Sequence, residues 1–208
     1  MQCPLCNNWD VEFFAEDKHK RYQHCASCDM IFVEPDFLPG FATEKQRYLQ
    51  HQNNPEDKKY VDFLSRIIEP LSDLVEDKAS GLDFGCGPEP VLAKLLQNRG
   101  FDMQVYDPIF VPDESVLNRN YDFVITTEVV EHLHNPGKVF NQIFQLLKPD
   151  APLAVMTKLF TADIDFESWH YKNDLTHVCF YSIKTMNWIA TRFNRKLNIV
   201  LPDLVFFT

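Results

Sequence analysis

The 208-residue chain has no apolar run approaching the ~20 residues that a bilayer-spanning helix needs, so a helical membrane protein is excluded. It also lacks the charged start and apolar stretch of a secretory signal, opening instead with MQCPLCNNWD. A cytoplasmic, soluble protein is the expectation. Basic residues are scarce: 20 Lys+Arg face 30 Asp+Glu, giving a formal charge of -10 and a pI near 5.1. The resulting field repels the phosphate backbone that dominates nucleic-acid affinity, so no nucleic-acid partner is expected. Internal repeats and low-complexity tracts are absent. What is present in quantity is apolar mass, 45% of residues with 18 Phe, which supports a real core and argues against disorder.

Six cysteines without a secretory signal point to metal ligands or buried thiols, because a reducing compartment does not maintain structural disulfides. Four of them form Cys3-Pro-Leu-Cys6 and Cys25-Ala-Ser-Cys28, separated by eighteen residues. Two residues between thiols let a tight knuckle aim both sulfurs at one ion, and a hairpin brings the second pair opposite: this is the four-thiolate zinc signature. A redox pair lacks its strand–helix context here, and a catalytic zinc needs an open position that four thiolates close. Val11–Phe14, Arg21–His24 and Met30–Val33 read as the three strands of a ribbon over residues 1–40. A unit of that size folds only with the metal's help. His19 and His24 read as exposed histidines rather than ligands. The ribbon is acidic, which suggests a lid or docking module rather than a nucleic-acid reader.

Residues 41–79 change character. Tyr60, Phe63, Leu64, Ile67 and Ile68 share one helical face, with Asn54-Pro55 as a start signal and a shorter helix before it through Tyr48. From Gly81 strands and helices alternate through residue 208, which predicts an α/β fold with a mainly parallel sheet and an antiparallel finish at Leu197–Val200 and Leu204–Phe207. Asp83-Phe84-Gly85-Cys86-Gly87-Pro88 sits at a strand-to-helix turn, where glycine lets backbone approach a ligand. Asp107 ends the next strand, placed to accept hydrogen bonds from the ribose hydroxyls of a nucleoside cofactor. A dinucleotide-binding loop would need a third glycine where Pro90 stands.

The run D-F-G-C-G-P, V-Y-D-P, Y-D-F-V-I-T-T-E-V-V-E-H-L and L-L-K-P-D resembles the successive motifs of class I S-adenosylmethionine-dependent methyltransferases, closest to quinone-biosynthesis O-methyltransferases and zinc-ribbon-bearing bacterial relatives. The resemblance covers about residues 80–160. It implies a Rossmann-like, seven-stranded sheet and a cofactor site at Asp83, Phe84, Gly85, Cys86, Gly87, Asp107, Pro108, Thr127 and Glu128, with the glycine loop under the methionine portion and Thr127 near the sulfonium. Only residues 108–120 separate Asp107 from Tyr121, too few for a strand–helix crossover and a further strand. A sheet shortened at that edge is therefore predicted. The family's adenine-side acid has no counterpart there, leaving Asp113, Glu114 or the backbone near Leu117 to stand in.

Methyl transfer is an in-line displacement in which positioning carries most of the catalysis. Glu128, Glu131 and His132 lie within one turn of the expected methyl group. His132 is readable as a general base. Glu128, Glu131 and His132 with His177 are readable as ligands of a divalent ion such as Mg²⁺, as in metal-dependent relatives, and all are equally readable as loop-orienting groups. The stretch 169–181 should overhang the ligand crevice, making His170, Tyr171 and His177 acceptor-site candidates and its aromatic rings candidate walls. Cys86 reads as loop filler and Cys179 as a buried thiol. The expected activity is methylation of a small-molecule acceptor, with O-methylation favoured. An RNA ribose 2'-O-methyltransferase using a divalent ion and a non-catalytic docking protein are the alternatives.

Overall fold

The computed structural model describes residues 1–50 and 54–208. At the N-terminus, β1 (Val11–Glu16), β2 (Arg21–Cys25) and β3 (Ile31–Val33) form an antiparallel meander. The two cysteine knuckles share one conformation. Asn7 N–H donates to the Cys3 carbonyl at 2.9 Å and Asp29 N–H to the Cys25 carbonyl at 2.7 Å. Asn7 and Asp29 both adopt positive φ, 59° and 61°, a conformation that Asn and Asp tolerate better than other side chains.

Helices α1 (Phe41–Tyr48), α2 (Lys58–Ser65) and α3 (Ile68–Ser72) follow. The single amphipathic helix expected from Asn54-Pro55 through Ile68 is two helices. Asp57 caps α2 by accepting the Lys59 N–H at 2.9 Å, whereas Asn54 closes a turn onto the Glu56 N–H. Pro70 explains the second break: it has no N–H, and its ring would collide with the Arg66 carbonyl four residues back. The apolar face survives the break, with Leu64, Ile67, Ile68 and Leu71 buried.

The remaining elements are β4 (Ser80–Phe84), α4 (Val91–Asn98), β5 (Asp102–Tyr106), β6 (Phe123–Thr127), α5 (Pro136–Gln145), β7 (Leu153–Met156), β8 (Cys179–Phe180), α6 (Ile183–Arg192), β9 (Leu197–Leu201) and β10 (Leu204–Phe207). Ser182 and Thr185 form a reciprocal capping box at the start of α6. A six-stranded sheet runs β5-β4-β6-β7-β10-β9, with the first four strands parallel and β10 antiparallel to both neighbours. Six strands, not seven, is the consequence of the short span after β5. Residues 108–120 hold only a 3-10 turn at Glu114–Asn118, and β5 is the sheet edge.

One face of this sheet packs on α2, α3 and α4, with Leu64, Ile67, Leu92 and Leu96 against Phe123, Met156 and Phe206. The other face shares a continuous core with the ribbon, from Leu5, Tyr22 and Phe32 through Phe140 and Tyr181 to Val205 and Phe207. The ribbon, read from its acidity as a lid or docking module, thus shares its inner face with the core of the α/β unit. Its β3 pairs antiparallel with β8, Ile31 opposite Phe180 and Phe32 opposite Cys179, making a fourth strand. Tyr22, Phe166 and Phe180 meet edge to face, with ring centroids 4.9–5.9 Å apart. Asp29, just after the second knuckle, accepts the Ser182 hydroxyl at the α6 cap.

The first knuckle docks on the opening turn of α5, where Gly137 N–H donates to the Pro4 carbonyl at 3.1 Å. A Cβ at Gly137 would fall 2.4 Å from the Leu5 carbonyl oxygen and 3.0 Å from that of Pro4. Helix propensity alone would make Gly137→Ala stabilising by about 1 kcal/mol. The backbone collision reverses the sign: urea unfolding should show a loss of about 1–3 kcal/mol, and a variant at least as stable as wild type would contradict the docked knuckle.

Candidate active site

The carboxyl ends of β4, β5 and β6 open into a cavity of about 780 Å³. This is where a doubly wound sheet places its ligand crevice. Its floor is the turn after β4, where Gly85 and Gly87 have φ of 83° and 67°. The Gly85 conformation is one that side chains resist, and a Cβ there would also strike the Val129 side chain at 2.5 Å. All nine residues expected to hold the cofactor, from Asp83 to Gly87 and at Asp107, Pro108, Thr127 and Glu128, line this cavity.

Asp107 is more occupied than its expected role implies. Its Oδ1 accepts the N–H groups of Ile109 and Phe110 at 2.8 and 3.0 Å, and its Oδ2 accepts the Gly87 N–H at 3.1 Å. The carboxylate thus braces the glycine loop against the next turn, with acceptor capacity remaining on Oδ2 for a hydroxyl. Past it the wall is Pro108, Ile109 and Phe110. None of the three adenine-side stand-ins lies in this wall. Asp113 is spent capping the 3-10 turn through the Ser115 N–H, and Glu114 and Leu117 face an adjoining groove.

Thr127 Oγ1 is buried in the described structure without a hydrogen-bond partner. A buried hydroxyl left unpaired is costly, so an orphan lining the cavity fits a polar ligand at the end of β6. Glu128 follows it at φ 53°. Burial, reinforced by Glu131, pushes the Glu128 carboxyl up to about 8. Burial likewise raises Asp83 to about 7, although the Ala93 N–H bonds it in opposition. Two carboxyls so poorly compensated in one cavity suit a ligand carrying positive charge, as a sulfonium with an α-ammonium does.

The opposite wall is built by His132 and His177, whose rings meet edge to face with centroids 4.7 Å apart. His132 Nδ1 is 3.0 Å from the Thr176 carbonyl, and His177 Nδ1 is 2.7 Å from the Tyr171 carbonyl. A carbonyl only accepts, so each Nδ1 carries the proton and each Nε2 of a neutral ring keeps its lone pair. Burial, with His132 alongside, pushes His177 down to about 3, so it is neutral in ordinary buffers. Glu131 sits behind them, fully buried, accepting the Tyr171 hydroxyl at 2.5 Å and the Thr157 hydroxyl at 3.0 Å.

His170 and Tyr171 do not reach the cavity. His170 is exposed, with Nε2 3.1 Å from Lys158 Nζ, and Tyr171 is buried on Glu131. Instead Phe180 packs on Tyr22 of the ribbon, and Trp169 and Phe180 both meet Phe166. What roofs the cavity is α1 and α2, through Phe41, Tyr48, Tyr60 and Phe63. Two contacts hold α1 down: Glu44 to His134 at 2.8 Å, and Arg47 to Asp174 through Nε and Nη2. The helical periodicity of 41–79 signalled helices here, while the residues of α1 that line the cavity had no motif to mark them.

Two clusters of metal-capable groups occur among the described residues. In the first, Cys3 and Cys28 Sγ are 3.5 Å apart, as are Cys6 and Cys25, and no pair is bonded. All four sulfurs lie within 4.8 Å of one another, close to the about 3.8 Å edge of a tetrahedron with Zn–S bonds near 2.3 Å. The second is Glu131, His132 and His177, with Glu128 outside it. Two imidazoles and one carboxylate suit a transition ion. They do not suit Mg²⁺, which prefers all-oxygen ligands.

The sequence matches the model of a family described as a methyltransferase domain over residues 49–197. The chain belongs to this family, the class I S-adenosylmethionine-dependent methyltransferases. Among solved structures it is similar to DesVI of Streptomyces venezuelae, with TM-score 0.57, 12% identity, and 82% of this chain and 98% of that one covered. It is also similar to 1,6-didemethyltoxoflavin-N1-methyltransferase of Burkholderia thailandensis with bound S-adenosylhomocysteine, with TM-score 0.53, 12% identity, and 94% and 97% covered. The chain spans 61% of the length of an O-methyltransferase family protein from Burkholderia thailandensis and 57% of the mitomycin 7-O-methyltransferase MmcR. No curated protein matches the sequence. No helix among the described residues is long and apolar enough to cross a membrane.

The raised Asp83 carboxyl has a consequence for stability. Its folded value near 7 lies above the ~3.9 of an unfolded aspartate, so between those values the unfolded chain sheds a proton that the folded chain keeps. Its contribution is full below about pH 4 and is lost as pH rises through about 7. Asp83→Asn should therefore flatten the fall in Tm of the ligand-free protein between pH 5 and 8, and an unchanged slope would contradict the buried, uncompensated carboxyl.

Proposed function

We propose that the chain transfers a methyl group from S-adenosylmethionine to a hydroxyl of a small molecule, and that the four cysteines hold a structural Zn²⁺. The observation that carries the O-methylation reading is the His132–His177 pair: each Nδ1 is tied to a backbone carbonyl, leaving a lone pair on Nε2 at the cavity wall beside the Thr127–Glu128 end. When bound, the cofactor supplies an electrophilic methyl on a sulfonium. Gly85 and Gly87 admit its amino-acid portion, Asp107 accepts a ribose hydroxyl, and Glu128 and Asp83 face its positive charge. His132 Nε2 takes the proton of the acceptor hydroxyl, and neutral His177, edge to face with it, holds the His132 ring in place. Roofing by Phe41, Tyr48 and Tyr60 limits the acceptor's size and excludes water.

A small acceptor also follows from charge. Asp107 and Glu44 line the cavity of a chain with formal charge -10, an environment hostile to the polyanionic backbone of RNA. A purely docking role for the ribbon has no support either, since its inner face is buried in the shared core. The second reading retains methyl transfer but uses a transition ion on Glu131, His132 and His177 to lower the acceptor's pKa. It draws on the proximity of those three groups, against which stands the engagement of both Glu131 oxygens by Tyr171 and Thr157.

One experiment separates these readings. Zinc-replete protein is incubated with methyl-labelled S-adenosylmethionine and a panel of small phenols, enols and amines, with and without EDTA. Label should appear on a hydroxyl irrespective of EDTA, and His132→Asn should lower turnover by about 10²–10⁴-fold while S-adenosylhomocysteine still raises Tm. EDTA-sensitive turnover would favour the metal, label on nitrogen alone would overturn O-methylation, and no thermal stabilisation by either nucleoside at millimolar concentration would falsify cofactor binding.

A further inference from the structure

Lysines are seldom buried unless paired, because the ammonium loses its hydration. Lys20, at the entry to β2, is only 3% exposed, and among the described residues its Nζ forms no ion pair. An ammonium has three donors. All three go to backbone carbonyls of one loop: Lys172 at 2.6 Å, Asp174 at 2.7 Å and His177 at 3.0 Å. A second tie runs the other way, Lys172 Nζ donating to Asp17 three residues before Lys20.

The gathered loop is the one that presents His177. Its carbonyl is held on the ribbon side while its ring lines the cavity beside His132, and its own N–H closes onto the Asp174 carbonyl at 3.2 Å. The Thr176 carbonyl, within the same turn, is the acceptor that fixes His132 Nδ1. Three carbonyl dipoles converging on one buried point repel one another unless a cation lies between them. Removing the cation therefore opens this turn and releases both imidazoles. The cofactor side has no such tie, since Gly85, Gly87, Asp107 and Thr127 stand on the ends of the parallel strands.

We propose that Lys20 is a positioning residue for the acceptor side of the site, holding His177 and His132 in register by drawing together the carbonyls of Lys172, Asp174 and His177. This role rests on the methyl-transfer reading of the cavity and gives the ribbon a part in that reaction.

The test uses full-length, zinc-loaded protein and two variants. Lys20→Met keeps the stem and removes the charge, and Lys20→Arg keeps the charge in a planar fork that cannot converge on three carbonyls. S-adenosylhomocysteine affinity is measured by calorimetry, amide exchange by mass spectrometry, and the His132 and His177 tautomers by side-chain ¹⁵N shifts at one pH. In Lys20→Met, residues 170–178 should exchange at least about tenfold faster while β6 and β7 do not. His177 should lose its single Nδ1–H form, and S-adenosylhomocysteine affinity should stay within about twofold of wild type. Lys20→Arg should fall between, and it carries the comparison where Lys20→Met does not fold. Wild-type loop exchange and tautomers in the variants would overturn the proposal, as would faster exchange throughout the chain, which makes Lys20 a general stability residue. Failure of wild-type protein to bind S-adenosylhomocysteine would instead remove the methyl-transfer reading.

Discussion

Cys179 and Phe180 add a two-residue strand to the ribbon, and the position of the His132–His177 wall of the cavity depends on this short antiparallel contact. Immediately before it, Val178 N–H bonds the Glu131 carbonyl and the Val178 carbonyl accepts the Val33 N–H. One residue therefore links the ribbon to the turn that carries Glu131 and His132. The ladder alone is too short to be stable. It persists because both of its faces are buried, with Phe32 and Phe180 each nearly inaccessible, and because the aromatic cluster of Tyr22, Phe166 and Trp169 fills the space beside it.

The site has two halves with different support. Its cofactor half rests on parallel strands β4, β5 and β6, whose register sets Gly85, Asp107 and Thr127 at one level. Strand register sets that geometry, and the ribbon supports it from below, since Leu82, Phe84 and Val124 share a core with Tyr22 and Phe32. The half that carries His132 and His177 is loop, and loops take their geometry from what they pack against. Here the supports are Lys20 from the ribbon and Arg47 from α1, which meet the same turn at Asp174 from two sides.

Much of this was legible in the sequence, for identifiable reasons. The parallel sheet, the glycine turn and Asp107 declare themselves because strand-to-helix turns that approach a ligand tolerate few residue types. The two CxxC knuckles are legible from spacing alone, and the shortened sheet edge from counting residues 108–120. Four things were not legible. The break between α2 and α3 required weighing Pro70 against a strong apolar stripe. His170 and Tyr171 could not be separated from His177, because the facing of residues in an irregular loop has no period. The pairing of β3 with β8 joins residues about 150 apart, and two-residue strands leave no pattern to read. Lys20, one of three cations with Lys18 and Arg21 in an acidic ribbon, gave no sign of its burial.

The central claim is that the ribbon is an internal brace of the methyltransferase domain rather than an appended module. Residues 35–208, produced without the ribbon, provide the most direct measurement: thermal unfolding followed by near-UV circular dichroism, with and without S-adenosylhomocysteine. Exposing Phe32's partners and the whole 160–181 cluster should abolish a cooperative transition and any stabilisation by the nucleoside. A sharp transition with stabilisation equal to that of the full chain would contradict the claim and make the ribbon a separable domain.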